Sequence, residues 1–301
     1  MFAKICLAGI YRIAYKLHHL VCLKPGKPLT HARLIVVGSH LVGGAGKTPF
    51  SAWLAANLHE GKLGEPCDTI AILCHSSATD EAEMLREKLP FATVVATGNR
   101  YRTAHRLDQK TRCIICDDGF EDTRLTGATI IRLDRAPLPH SLRDLIPAGK
   151  CRSLVQDHPE PALALGPDAV QFRIAKAVNA SGEPCPAGAT AICGIGDPDR
   201  FREDLAAVGI APARIVKLPD HSKNFERSLL QIIRGGSQAV ITEKDAARLG
   251  RELRQNPAVF VAYQEVSVSS SAFEAISAPF SKESCPVGPR IIIFSCNRTV
   301  N

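Results

Sequence analysis

The stretch Ser39 to Phe50, SHLVGGAGKTPF, decides how this chain folds, and it poses a puzzle. Its Gly46-Lys47-Thr48 triplet belongs to the phosphate-binding pattern G-x-x-x-x-G-K-[ST], in which a glycine stands five residues before the glycine of the triplet. Here that position is Leu41. The flanks favour a phosphate loop all the same. Upstream, Ala32 to Val37 is a short apolar run of the kind that forms a buried parallel strand, ending at Gly38. Downstream, Pro49 suits the first turn of a helix, and Ala52, Leu54, Ala55 and Leu58 continue a helical pattern until Gly61. A loop between a buried strand and a helix N-terminus presents unpaired N–H groups and the positive end of the helix dipole to an anion. Gly43, Gly44, Ala45 and Gly46 supply the backbone of such a cradle, Lys47 its cation for the β and γ phosphates, and Thr48 a hydroxyl ligand for Mg²⁺.

A phosphate loop needs a carboxylate for the metal at the end of a neighbouring strand. Asp117 and Asp118 follow the apolar run Cys113-Ile114-Ile115-Cys116 directly, which puts them at the carboxyl edge of the sheet, where α/β proteins bind ligands. Cys113 and Cys116 form a C-x-x-C, but a strand points them to opposite faces, against metal or redox use. The eleven cysteines, scattered from Cys6 to Cys296, lack the paired spacings of a disulfide framework and read as reduced thiols.

Further apolar runs at 69–73, 92–96, 112–116 and 129–133 repeat the α/β rhythm of a mostly parallel sheet flanked by helices. A second series, at 169–174, 189–193, 214–217, 239–242 and 258–263, predicts a second, smaller α/β domain. The Gly-, Pro- and Ser-rich stretch at 179–188 is the expected boundary. The expected organisation is an N-terminal amphipathic, membrane-associating helix over 1–30, a P-loop domain over 31–180 and a C-terminal α/β domain over 181–301. The Ser-rich tail from Ser267, apolar again at Ile291 to Phe294, carries no assigned role.

At the N-terminus the uncharged run is too short to span a bilayer, and Lys4, Arg12 and Lys16 interrupt any signal-peptide core. As a helix, it gathers Phe2, Cys6, Ile10, Ile13, Leu17 and Leu20 on one face and Lys4, Arg12, Lys16 and His19 on the other. That pattern fits a helix lying in a membrane interface, with packing on the protein's own core as the alternative. With 301 residues, 45% of them apolar, the chain can bury a sizeable core, and its formal charge of +7 suits anionic phosphates or an anionic surface. Nucleic acid is not an expected partner, because aromatics are 5% of the chain and no basic run is interleaved with rings.

The motifs together resemble the tetraacyldisaccharide 4'-kinase family. The likeness rests on VGSHLVGGAGKTP, DDGFEDTRL, LIPAGKCRS, GIGDPDRF, LPDH and ITEKDAARL, in the family's order over about residues 33–265. The family's loop resembles V-G-N-x-[ST]-V-G-G-T-G-K-T-P, which also lacks the early glycine. The resemblance implies ATP and Mg²⁺ as cofactors and transfer of the γ-phosphoryl group to the 4' hydroxyl of a tetraacylated glucosamine disaccharide 1-phosphate. It also implies work at the cytoplasmic face of the inner membrane. It gives Lys47, Thr48, Asp117 and Asp118 the roles above, makes Arg152 a phosphate-binding residue, and makes Asp80 with His221 the acid–histidine pair that activates the hydroxyl. Departures from the family pattern are Ser39, Ala45, the segment 74–78, Glu121-Asp122 for a Gln-His pair, Ser153 for a glutamate and Ser222 for a histidine. Two alternatives share the loop and Asp pair: a GTPase-like switch, disfavoured because the N/T-K-x-D guanine signature is missing and Thr242-Glu243-Lys244-Asp245 resembles it only loosely, and a catalytically impaired homologue.

Overall fold

A computed structural model describes residues 2–219 and 222–280. By contact the chain forms two compact units: the described parts of Met1–Ala78, Leu89–Gln171 and Val268–Asn301 make the first, and Thr79–Lys88 with Phe172–Ser267 the second.

In the first unit, strands β1 (Arg33–Gly38), β2 (Ile70–His75), β3 (Thr93–Thr97), β4 (Cys113–Asp117), β5 (Thr129–Leu133) and β6 (Leu163–Leu165) form one sheet in the order β3-β2-β4-β1-β5-β6. Every pairing is parallel. The short apolar runs become strands because both faces are covered, so an unbroken Leu-Ile-Val-Val or Cys-Ile-Ile-Cys can be buried. Helix α2 (Lys47–His59) packs on β1, β2 and β4, and α4 (Arg100–Leu107) on β2. Leu34, Val36, Ala71, Leu73, Ile114 and Cys116 join Ala104 of α4 in one apolar cluster, leaving Cys113 in the other phase of the strand, as expected. The tail also gains a role: α9 (Ser270–Ser277), capped by Ser269, returns to this unit and sets Phe273 edge-on to Trp53 of α2 at 6.0 Å. Ile291 to Phe294 lie outside the described residues.

Helix α1 (Phe2–Cys22) docks in the opposite sense to an ordinary amphipathic helix. Only Ala8 is buried, while Phe2, Leu7, Ile10, Ile13, Leu17 and Leu20 are 52–82% exposed. The inward stripe is polar. Tyr11 donates to the Arg152 carbonyl at 2.8 Å, Arg12 pairs with Asp157 at 3.2 Å, and Tyr15 reaches Glu121 and His158. Arg12 and His19 are thus turned toward the protein rather than presented outward, and Lys16, though more than half exposed, also lies 3.7 Å from Asp157. The apolar face is therefore not packed on a core formed by the described residues.

The second unit holds β7 (Val170–Val178), β8 (Thr190–Cys193), β9 (Arg214–Lys217), β10 (Ala239–Thr242) and β11 (Val259–Val268), ordered β7-β11-β10-β8-β9, with β10 parallel to both β8 and β11. Its helices include α3 (Thr79–Lys88), α5 (Pro198–Ala207), α6 (Phe225–Arg234), α7 (Glu243–Ala247) and α8 (Arg251–Arg254). The contact boundary near Gln171 falls before the expected loop at 179–188, because β7 is a long strand whose Val178 bridges Pro184 and carries that loop inside the unit.

Candidate active site

β1 delivers the chain to the phosphate loop at Gly38. A Cβ there would lie 2.2 Å from the Cβ of Phe120, so glycine is what allows the loop after β4 to close over the strand end. The backbone then runs beside 150–152: Arg152 N donates to His40 O at 2.8 Å, Val42 N to Lys150 O at 3.0 Å, and Leu41 bridges Cys151. This short ladder resolves the puzzle of Leu41. A paired position needs no glycine, and its side chain packs with Ala8, Leu145, Cys151 and Leu154. Glycines stand where φ is positive, at Gly44 (74°) and Gly46 (77°). Gly46 caps α2 with no side-chain bond, leaving the first-turn N–H groups of that helix for an anion.

Lys47 and Thr48 open α2 next to the end of β4, since Val37 of β1 is in register with Asp117. The Asp117 carboxylate accepts from Thr48 Oγ at 2.8 Å and from Ser51 Oγ at 2.9 Å. Burial, with Asp118 beside it, pushes the Asp117 pKa up. Asp118 takes φ 53°, the only positive value among the described non-glycine residues. Its Oδ1 is 3.2 Å from Lys47 Nζ and its Oδ2 accepts from Arg152 at 2.9 Å. Burial alone would raise its pKa, but the two cations hold it below the usual carboxylate range. One carboxylate thus clamps both cations at the mouth of the loop.

The residues present fit a hard divalent cation. Thr48, Asp117 and Asp118 offer oxygen only, and Asp117 keeps a buried carboxylate against two neutral hydroxyls, a charge that a cation would offset. The cysteine pair does not: Cys113 and Cys116 are buried, and burial pushes the Cys116 thiol to about 12. No described group of three or more His, Cys, Asp or Glu side chains is placed to hold a metal.

Two positions that depart from the family pattern meet. Glu121 accepts from Ser153 Oγ at 2.9 Å, and also from Tyr15, with His158 Nε2 3.3 Å away. Burial would raise its pKa, but the bonds from His158, Tyr15 and Ser153 lower it. A carboxylate thus stands against the Ser153 hydroxyl. Among the other departures, Ser39 donates to the Leu133 carbonyl at 2.8 Å and Ala45 is buried.

Asp80 lies in the second unit, buried in the first turn of α3, with Lys244 Nζ 3.8 Å from it and 2.8 Å from Glu81. His221, its expected partner, lies outside the described residues. The loose guanine signature is absorbed by structure: Asp245 is fully buried, accepts from Gly194 N at 3.1 Å and Thr242 Oγ at 2.8 Å, and faces Arg248, so its carboxylate is not free to read a base. Sequence reading missed Ser51, Tyr11, Tyr15 and His158. Ser51 could have been found, being one helical turn beyond Thr48. The others could not, since no local pattern announces which loop a helix face will meet.

A family model for tetraacyldisaccharide-1-P 4'-kinase matches residues 69–280. Among curated relatives, tetraacyldisaccharide 4'-kinase of Jannaschia sp. (strain CCS1) is 29% identical over 258 residues, covering 73% of this chain and 78% of the relative. The enzyme of the same name from Parvibaculum lavamentivorans is 32% identical over 252 residues, covering 72% and 73%. The fold is similar to that of LpxK from Aquifex aeolicus, solved in complex with ATP, with a TM-score of 0.63 and 20% identity over 91% of this chain and 97% of that one.

Proposed function

The chain belongs to the tetraacyldisaccharide-1-P 4'-kinase family, and from that premise we propose that it phosphorylates the 4' hydroxyl of a tetraacylated glucosamine disaccharide 1-phosphate at the expense of ATP. The observation that carries this reading is the joining of Lys47, Thr48, Asp117, Asp118 and Arg152 at the adjacent carboxyl ends of β1 and β4.

Phosphoryl transfer asks little covalent chemistry of a protein and much positioning and charge neutralisation. The first-turn N–H groups of α2 and the backbone of Gly43 to Gly46 receive the phosphate oxygens. Lys47 and Arg152, held by Asp118 until then, turn their charge to the transferring group, whose bond to the β-phosphate oxygen breaks as the bond to the sugar oxygen forms. Thr48, Asp117 and Asp118 would hold Mg²⁺, which would neutralise phosphate charge during transfer. By the resemblance Asp80 and His221 take the proton of the sugar hydroxyl; Lys244 beside Asp80 offsets its negative charge in a buried setting.

The exposed apolar face of α1 suits an acylated substrate embedded in a bilayer, and no described helix is long and apolar enough to cross one. We place the protein peripherally, at the cytoplasmic face of the inner membrane, with the apolar face of α1 in the acyl boundary. The test is ADP release by the purified protein in mixed micelles. Release should require the tetraacyl disaccharide 1-phosphate, prefer ATP to GTP, and disappear in Lys47→Ala and Thr48→Ala. Lipid-independent release, or unchanged release in both variants, would sink the assignment.

A further inference from the structure

An amphipathic helix that merely completed a fold would bury its leucines and isoleucines, and one that merely anchored a protein would need no specific inner face. α1 does neither. Its inner stripe is built from hydroxyl-bearing rings, and the partners of those hydroxyls lie on the two loops that carry Asp118 and Arg152. Tyr15 bonds Glu121, three residues past Asp118; Glu121 in turn holds Ser153, the neighbour of Arg152. Tyr11 donates to the carbonyl of Arg152 itself at 2.8 Å.

Arg152 is thereby fixed from every side. Its amide donates to the His40 carbonyl at the entrance of the phosphate loop, its carbonyl accepts from α1, and its guanidinium spans Asp118 at 2.9 Å and the Val42 carbonyl at 2.9 Å. Ala8 adds an apolar foothold on the same segment, packing in one cluster with Leu41 and Cys151. We propose that Tyr11 and Tyr15 are positioning residues for phosphoryl transfer, holding Arg152 and Asp118 in place from the polar face of α1 so that the phosphate site is set only while that helix is seated.

This rests on the reading of Arg152 as a phosphate-binding residue and goes beyond it by making the helix part of the catalytic geometry. Misplacing a charged group by an ångström can cost about a hundredfold in rate, so loss of one of two tethers should cost about tenfold. A tyrosine that acts through Arg152 should also matter only while Arg152 is present.

The experiment is a double-mutant cycle in the full chain with Tyr11→Phe, Arg152→Ala and the pair. It reads kcat and KM for ATP with the disaccharide lipid in mixed micelles, sedimentation with anionic phospholipid vesicles, and Tm. Tyr11→Phe should lower kcat about tenfold with Tm and vesicle binding unchanged, because ring packing and the outer apolar face are untouched. Arg152→Ala should lose about a hundredfold or more, and adding Tyr11→Phe should cost less than twofold further. Tyr15→Phe, checked in parallel, should behave as Tyr11→Phe does. If Arg152→Ala loses activity while Tyr11→Phe is silent, or loses the same factor in both backgrounds, the inference falls and the assigned function stands. Full activity in Arg152→Ala overturns the phosphate role of Arg152 and this inference with it.

Discussion

Asp118 holds a left-handed backbone at φ 53° beside two cations, although such a backbone costs a residue with a side chain about 1 kcal/mol or more. What holds it there is the pairing with Lys47 and Arg152. Asn tolerates the same backbone but carries no charge, so Asp118→Asn separates the two effects. We expect that variant to remain folded, with a Tm close to wild type, while steady-state phosphoryl transfer falls about a hundredfold. Wild-type turnover in Asp118→Asn would remove Asp118 from the site. At this scale the sequence was informative where chemistry follows directly from an element's end: Lys47, Thr48, Asp117 and Asp118 are each adjacent to a strand or helix terminus that their own neighbours announce. Arg152 sits in an irregular loop, and only resemblance pointed to it. Glu121 was visible as a departure, but its contact with Ser153 depends on two loops meeting, which no local pattern encodes.

Among the elements, α1 shows what periodicity can and cannot give. Alternation at helical spacing identifies the apolar face, yet it is silent on which face docks, and here the polar one does. The exposed face can be tested without disturbing the inner stripe. Replacing Ile10, Ile13 and Leu17, each more than half exposed, by Gln should weaken partition to anionic phospholipid vesicles about a hundredfold. Unfolding should not change, because these side chains touch little of the protein. Equal vesicle binding by the triple variant would argue that α1 does not lie on a membrane. The segment leading from α1 into β1 is held by a different device. Asp108 accepts from Thr30 N and Oγ at 2.8 Å, from His31 N at 3.0 Å and from Ala32 N at 2.7 Å. Burial would raise its pKa, but those bonds outweigh it and depress it. A depressed carboxylate stabilises the fold fully above its unfolded pKa, near about 3.9, and less as pH falls through the folded value. Asp108→Ala should therefore cost about 2 kcal/mol in urea unfolding at pH 7, a gap that narrows below about pH 4. A gap independent of pH would assign the loss to packing alone. Element positions elsewhere were legible wherever an apolar run was long enough; β6, only three residues long, was not.

For the molecule as a whole, the α/β rhythm announced two sheets, and two are present, but contact assigns α3 to the second unit although it follows β2 in the chain. Side chains explain that assignment: Lys88 meets Glu243 at 3.1 Å, Lys244 meets Glu81 at 2.8 Å, and Arg254 meets Glu87. Sequence patterning reads along the chain and so misses a helix captured by partners far downstream. The same capture brings Lys244 to Asp80 and gives the ITEKDAARL motif a structural meaning in place of guanine recognition. The central claim, that the chain moves the γ-phosphoryl group of ATP onto the 4' oxygen of an acylated disaccharide, is tested most directly in a single turnover with enzyme in excess over γ-labelled ATP and the tetraacyl disaccharide 1-phosphate. The label should appear on the 4' position of the lipid with the wild-type chain and not with Lys47→Ala. Label recovered only as inorganic phosphate, or unreacted ATP after prolonged incubation with the lipid, would contradict it.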